Sequence, residues 1–150
     1  MRASAAMTRE ILYIAPADDL DAAHELMRHH MIRHLPVLDG DELVGILSDR
    51  DVLLRSTLRK SGVTVPRTPV AHAMSKTPIA CSPGSQIAEV ADLMLEHKID
   101  CVPVLDASRK LVGLLTSSDL LELLRESDEA SHKVVPFDFN VRRAPLAASA

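Results

Sequence analysis

Aromatic side chains are almost missing from this chain: Phe, Trp and Tyr together make up 2% of it, and there is no Trp. Proteins that bind single-stranded nucleic acid stack successive bases on aromatic platforms, and that mode has almost no material here. Surplus positive charge is missing too. There are 17 Lys and Arg against 21 Asp and Glu, for a formal net charge of −4. This balance argues against nucleic acid or an acidic membrane surface as a partner. No apolar run approaches the roughly 20 residues that a spanning helix needs. The opening Met1-Arg-Ala-Ser-Ala-Ala-Met-Thr-Arg-Glu10 has no continuous hydrophobic stretch of the kind that a secretory leader carries. A cytoplasmic protein is the expectation. Only two cysteines occur, Cys81 and Cys101, spaced neither as CxxC nor as a metal finger. In a reducing compartment such residues read as small buried hydrophobes rather than a disulfide.

Catalytic signatures are also absent. No Gly-x-Ser-x-Gly elbow surrounds a serine, no glycine-rich phosphate loop precedes a Lys, and the two best-placed carboxylates lie far apart in the chain. No enzymatic constellation follows, and no catalytic cofactor is expected. Seven histidines invite a metal reading, especially His24, His29, His30 and His34. The expected helix ends near His30, however, so His30 and His34 do not share a helical face, and no metal site is assigned.

What the chain does have is aliphatic content, within a hydrophobic share of 47%, and a repeat. Cys101-Val-Pro-Val-Leu-Asp106 and Leu111-Val-Gly-Leu-Leu-Thr-Ser-Ser-Asp-Leu-Leu121 read as two strands joined by a polar turn, then a helix opening behind Thr116. His34-Leu-Pro-Val-Leu-Asp39 and Leu43-Val-Gly-Ile-Leu-Ser-Asp-Arg-Asp-Val-Leu53 give the same plan earlier. Pro36 to Pro103 is a shift of 67 residues and Gly45 to Gly113 one of 68, so the second turn is one residue longer. At the shift of 67, Met7-Thr8 pairs with Met74-Ser75, Pro16 with Pro83, Met27 with Met94 and Ile32 with Ile99. The chain is a tandem of two homologous halves with tails. A half of about 60 residues buries little alone, so one shared core is expected.

In chain order, Ile11–Ile14 is a strand candidate. A helix over about 19–30 puts Leu20, Ala23 and Met27 on one face, and its partner over about 86–97 does the same with Ile87, Val90, Ala91 and Met94. Strands near 34–38 and 43–47 meet at Asp39-Gly40, and a helix over about 49–59 closes the first half. Gly62, Pro66 and Pro69 mark the stretch 60–70 as a linker. A polar tail is expected from Glu126, holding one sticky segment, Val134–Phe139, with both Phe residues. The organisation expected is repeat 1 over 1–65, repeat 2 over 66–130 and a C-terminal tail over 131–150.

These motifs, in this order and over about residues 6–125, resemble the CBS domain, named for cystathionine β-synthase, here as the tandem pair known as a Bateman module of the stand-alone prokaryotic type. The resemblance implies an α/β, sandwich-like fold of two β-α-β-β-α repeats about a pseudo-twofold axis. Two clefts between them bind adenosine-containing ligands in many relatives. The function implied is a non-catalytic sensor of AMP, ADP, ATP, S-adenosylmethionine or a similar adenosyl ligand. A homodimer is expected because the helices after Asp51 and Asp119 carry more apolar residues than one module buries. A regulated protein is a possible further partner. The alternative is a ligand-independent adaptor.

Ser48-x-x-Asp51 and Thr116-x-x-Asp119 are, by themselves, capping boxes. The resemblance adds that the matching Asp holds ribose hydroxyls while the Ser or Thr lies near a phosphate. Arg33 and His34, by themselves a solvated pair at a strand edge, fall where relatives carry phosphate-facing basic residues. Thr77, Ile79 and Val102 complete the ligand-binding set that it implies. Repeat 2 departs from the pattern by placing Asp100 and Cys101 where repeat 1 has Arg33 and His34. If each cleft takes its Asp from one repeat and its basic wall from the other, the cleft of Asp119, Thr116, Arg33 and His34 is the competent one. That of Asp51, Ser48, Asp100 and Cys101 is weak, empty or suited to an uncharged adenosyl group.

Overall fold

The computed structural model describes residues 1–128; the expected tail over 131–150, with its Val134–Phe139 segment, lies outside them. In chain order the elements are α1 (Ala3–Ala6), α2 (Leu20–His30), β1 (His34–Asp39), β2 (Glu42–Ser48), α3 (Asp49–Arg55), β3 (Thr57–Arg59), β4 (Gly62–Thr64), a 3₁₀ turn (Val70–His72), β5 (Ser75–Lys76), α4 (Ile87–His97), β6 (Cys101–Leu105), β7 (Leu111–Thr116) and α5 (Ser117–Asp128). This mixture of helices and small sheets is the α/β, or α+β, class that the resemblance implies.

Local chemistry explains most boundaries. Asp19 caps α2 by accepting from the Asp21 N–H, and α2 and α4 both stop at a residue in the left-handed region, Met31 (φ 53°) and Lys98 (φ 56°). These two residues are equivalent at the shift of 67. Each places an apolar Ile one position later, and Ile32 and Ile99 return their N–H groups to the Met27 and Met94 carbonyls. In the hairpins, β1 pairs antiparallel with β2, Val37 opposite Gly45, and β6 pairs with β7, Val104 opposite Gly113. Both ladders slip by one residue at the same place, after Val37 and after Val104. The bulge is part of the repeat.

The two cores are not built from contiguous sequence. One contains Leu20, Ala23, Met27, Leu35, Val37, Leu47 and Val52 of the first repeat together with Val70. The other contains Val90, Met94, Val102, Val104 and Leu115 of the second together with Ala3 and Met7. Backbone bonds fix this exchange: the Ala3 N–H donates to the Ser85 carbonyl at 2.8 Å and the Val70 N–H to the Asp18 carbonyl at 2.8 Å. Ser75 of β5 pairs with Ile46, and Thr8 forms a bridge with Leu114. Each opening segment therefore completes the sheet of the opposite half. Ile46, Cys101 and Leu114 form a third, smaller cluster between the hairpins, with Ile11, Leu43 and Leu111 against it, so the one shared core expected from the short halves is replaced by a core in each half joined by this cluster.

Three further expectations change. Ile11–Ile14 is not a strand; only Ile14 forms a bridge, to Val37, as Cys81 does to Val104. The helix after Ser48 ends at Arg55, because Thr57-Leu-Arg59 and Gly62-Val-Thr64 pair as a hairpin inside what read as helix end and linker. Gly62 takes φ +121° there, a conformation that only glycine reaches without strain. At the far end α5 runs through Glu126 to Asp128, so the polar residues there extend the helix instead of opening a tail.

Candidate functional site

Two identical-looking devices close the two halves. At the start of α5 the Thr116 N–H and Thr116 Oγ1 donate to Asp119 Oδ2 at 2.6 and 2.7 Å, and the Asp119 N–H returns a bond to Thr116 Oγ1 at 3.4 Å. At the start of α3, Ser48 and Asp51 make the same three bonds at 2.8, 2.8 and 3.1 Å. Each is a capping box that fixes one carboxylate where a strand becomes a helix. All the carboxylate bonds use Oδ2. Oδ1 carries none of them.

Only one of the two boxes borders the large cavity, of about 690 Å³, a volume within the usual range for small-ligand sites. Thr116 and Asp119 of repeat 2 line it together with Arg33 and His34 of repeat 1. Apolar surface comes from Ile11, Ile32 and Leu114. The cavity thus draws on both repeats and on the segment that leads into repeat 1. Ser48 and Asp51 do not border it, and neither do Thr77 and Ile79. Thr77 is exposed, with φ 50°, and donates its hydroxyl to the Lys76 carbonyl, while Ile79 is half-buried. The Val102 side chain is fully buried in the second core and does not line this cavity.

Asp100 also lines this cavity, contrary to its expected place beside Asp51. The register explains the correction. Cys101 opens β6 opposite Thr116, the last residue of β7, and the Ser117 N–H donates to the Asp100 carbonyl at 3.0 Å, so Asp100 is held against its own repeat's helix start. Arg33 is held in the same way, with the Asp49 N–H on its carbonyl at 3.0 Å. The two equivalent positions therefore meet at this cavity. Cys101 is buried in the cluster between the hairpins and forms no open wall. Its thiol is pushed up to about 12 by burial, then by the charges of Asp119 and Asp100.

The basic wall is weaker than the residue types suggest. Arg33 Nε pairs with Asp49 Oδ2 at 3.2 Å, an exposed ion pair. Burial lowers the pKa of His34 below its ordinary 6.5; Asp49 opposes that shift and Arg33 adds to it. Asp100 and Asp51 oppose the shift as well, and the net result favours the neutral imidazole over the cation. Sequence reasoning also missed Glu10, which lines the cavity. The signal was available, since Glu10 is the equivalent of Thr77 at the shift of 67 and Thr77 was singled out. Among the described residues, no helix is long and apolar enough to cross a membrane.

The CBS domain model matches twice, at residues 3–57 and 70–126. The inosine-5'-monophosphate dehydrogenase of Korarchaeum cryptofilum is 34% identical over 119 residues, covering 79% of this chain but only 23% of the enzyme. The chain thus spans less than a quarter of that relative. Among solved structures, CBSX2 in complex with AMP superposes with a TM-score of 0.72 at 27% identity, covering 85% of this chain and 98% of that one. The CBS domain pair of protein MJ0100, in complex with 5'-methylthioadenosine and S-adenosyl-L-methionine, gives a TM-score of 0.70 at 25% identity, covering 83% and 99%.

Proposed function

Because this chain belongs to the CBS domain family, with a domain matched in each half, we propose that it is a non-catalytic regulatory module that takes an adenosine-containing ligand in the cavity of Thr116 and Asp119. The observation that carries this reading is the cavity itself, which joins a capped, outward-available carboxylate of repeat 2 to the strand entrance of repeat 1. Asp119 Oδ1 accepts from the ribose hydroxyls, and Ile11, Ile32 and Leu114 shelter the base. The AMP, 5'-methylthioadenosine and S-adenosyl-L-methionine complexes of the two structural relatives support the ligand class.

A ligand touching both repeats favours whichever arrangement brings them together, and this is the means by which binding becomes a signal. The surface offered to a second copy is built from Leu53 and Leu121, equivalent residues of α3 and α5 that are 56% and 66% exposed. Two like patches on one chain suit the isologous contact of a twofold homodimer. The module acts in the cytoplasm on a regulated protein.

A thermal-shift screen of AMP, ADP, ATP, S-adenosylmethionine and NAD tests the reading. A ligand at about 100-fold over its Kd stabilises the native state by about 2.7 kcal/mol. A saturating series without any shift would remove the sensor and leave the ligand-independent adaptor.

A further inference from the structure

The charges around the cavity do not match a phosphate. Three carboxylates, Glu10, Asp100 and Asp119, line it. Facing them are Arg33, His34 and His30, which lies at the C-terminal end of α2. The Arg33 guanidinium already has a counter-ion, Asp49, at 3.2 Å, and Asp51 lies near enough to act on His34. Burial disfavours the charged form of His34.

The usual anion receptor at a helix start is largely taken. A helix N-terminus holds phosphate through its free N–H groups, but here the N–H groups of Thr116 and Ser117 are bound to Asp119 Oδ2 and the Asp100 carbonyl, and that of Asp119 to Thr116 Oγ1 at 3.4 Å, which leaves Ser118 as the cavity-lining residue of the first turn whose N–H is not engaged in this way. Asp119 itself places a negative charge at the positive end of the dipole.

Building on the adenosyl-binding reading, we propose that this cavity selects by charge, taking an adenosine-type nucleoside whose 5' substituent is neutral or cationic, a sulfonium or an amine included, in preference to one bearing a 5'-phosphate. A nucleoside keeps the diol that Asp119 reads and the apolar base that the cavity shelters. A phosphate dianion instead meets Glu10 and Asp100 with no uncommitted guanidinium to offset them. A sulfonium or ammonium group gains from the same two carboxylates.

Calorimetry on the full chain with 5'-methylthioadenosine, S-adenosylmethionine and AMP decides the matter. AMP is expected to bind at least about tenfold more weakly than 5'-methylthioadenosine, with the gap narrowing as salt screens the carboxylates. Glu10→Gln combined with Asp100→Asn is expected to close most of that gap by strengthening AMP and weakening S-adenosylmethionine. The bond that Asp100 contributes to the fold uses its backbone carbonyl, so the amide leaves it in place. AMP binding as tightly as 5'-methylthioadenosine, or a gap unmoved by the double variant, overturns the charge selection alone. Failure of all three ligands to bind overturns it together with the adenosyl-binding reading.

Discussion

Met7 lies against Gly113, so closely that a Cβ on Gly113 would collide with the Met7 side chain, and Met74 lies against Gly45 in the same way in the other half. Both contacts join the opening segment of one repeat to the closing hairpin of the other. Glycine is required there for room and not for a special φ.

The two contacts differ in what surrounds them, and this yields a prediction. The three atoms nearest a Cβ at Gly113 all belong to the Met7 side chain, whereas one at Gly45 stands 2.6 Å from Met74 Sδ and 2.9 Å from the Ser75 carbonyl oxygen. Either Gly→Ala change is expected to cost about 1–3 kcal/mol by overpacking. Shortening Met7 to Ala takes away Sδ and Cγ and leaves its Cβ at 3.0 Å, so it should recover more of the loss in Gly113→Ala than Met74→Ala recovers in Gly45→Ala, where the Ser75 backbone oxygen stays at 2.9 Å. Denaturant unfolding of the single and double variants measures both couplings.

The capping and ligand roles of the two aspartates should separate. Asp51→Ala and Asp119→Ala each remove a capping box and should each cost about 1 kcal/mol of stability. Only Asp119→Ala is expected to remove ligand binding, since only Asp119 borders the cavity. Equal losses of affinity from the two variants would contradict the assignment of the site.

Stability should depend on pH through His34. Its folded pKa lies below 6.5, so the unfolded chain binds the proton more readily and stability increases with pH across that interval. The contribution is complete above about pH 6.5 and is lost as pH falls through the lower folded value. His34→Gln should flatten this part of the curve, read as denaturation midpoints across mildly acidic buffers.

Thiol chemistry should distinguish the cysteines. Cys101 is buried with its thiol at about 12, and Cys81, half-buried, is raised as well. Alkylation of the native protein near neutral pH should therefore modify Cys81 first and Cys101 only as the fold opens. Peptide mapping at timed intervals shows the order.

Self-association should depend on the exposed leucines. Leu53→Glu with Leu121→Glu is expected to give a monomer by light scattering while leaving the circular dichroism unchanged, since both side chains lie outside the cores.

Much of this molecule was legible without coordinates, because its rules act over a few residues. The period of the apolar positions placed α2 and α4, the Ser48/Asp51 and Thr116/Asp119 spacings marked the starts of α3 and α5, and the shift of 67 or 68 tied the halves together. What remained depended on partners distant in the chain. Thr57–Thr64 carried no strong strand pattern, and its pairing emerged only once α3 stopped at Arg55. Two similar repeats offer two similar grooves, and nothing local tells Ala3 and Met7, or Val70 and Met74, which groove to fill. The fold seats each segment in the opposite half. The same tertiary choice brings Arg33 and Asp100, 67 residues apart, to one cavity. Residue types alone read there as a phosphate site; only packing shows that Arg33 pairs with Asp49 and that burial lowers the pKa of His34.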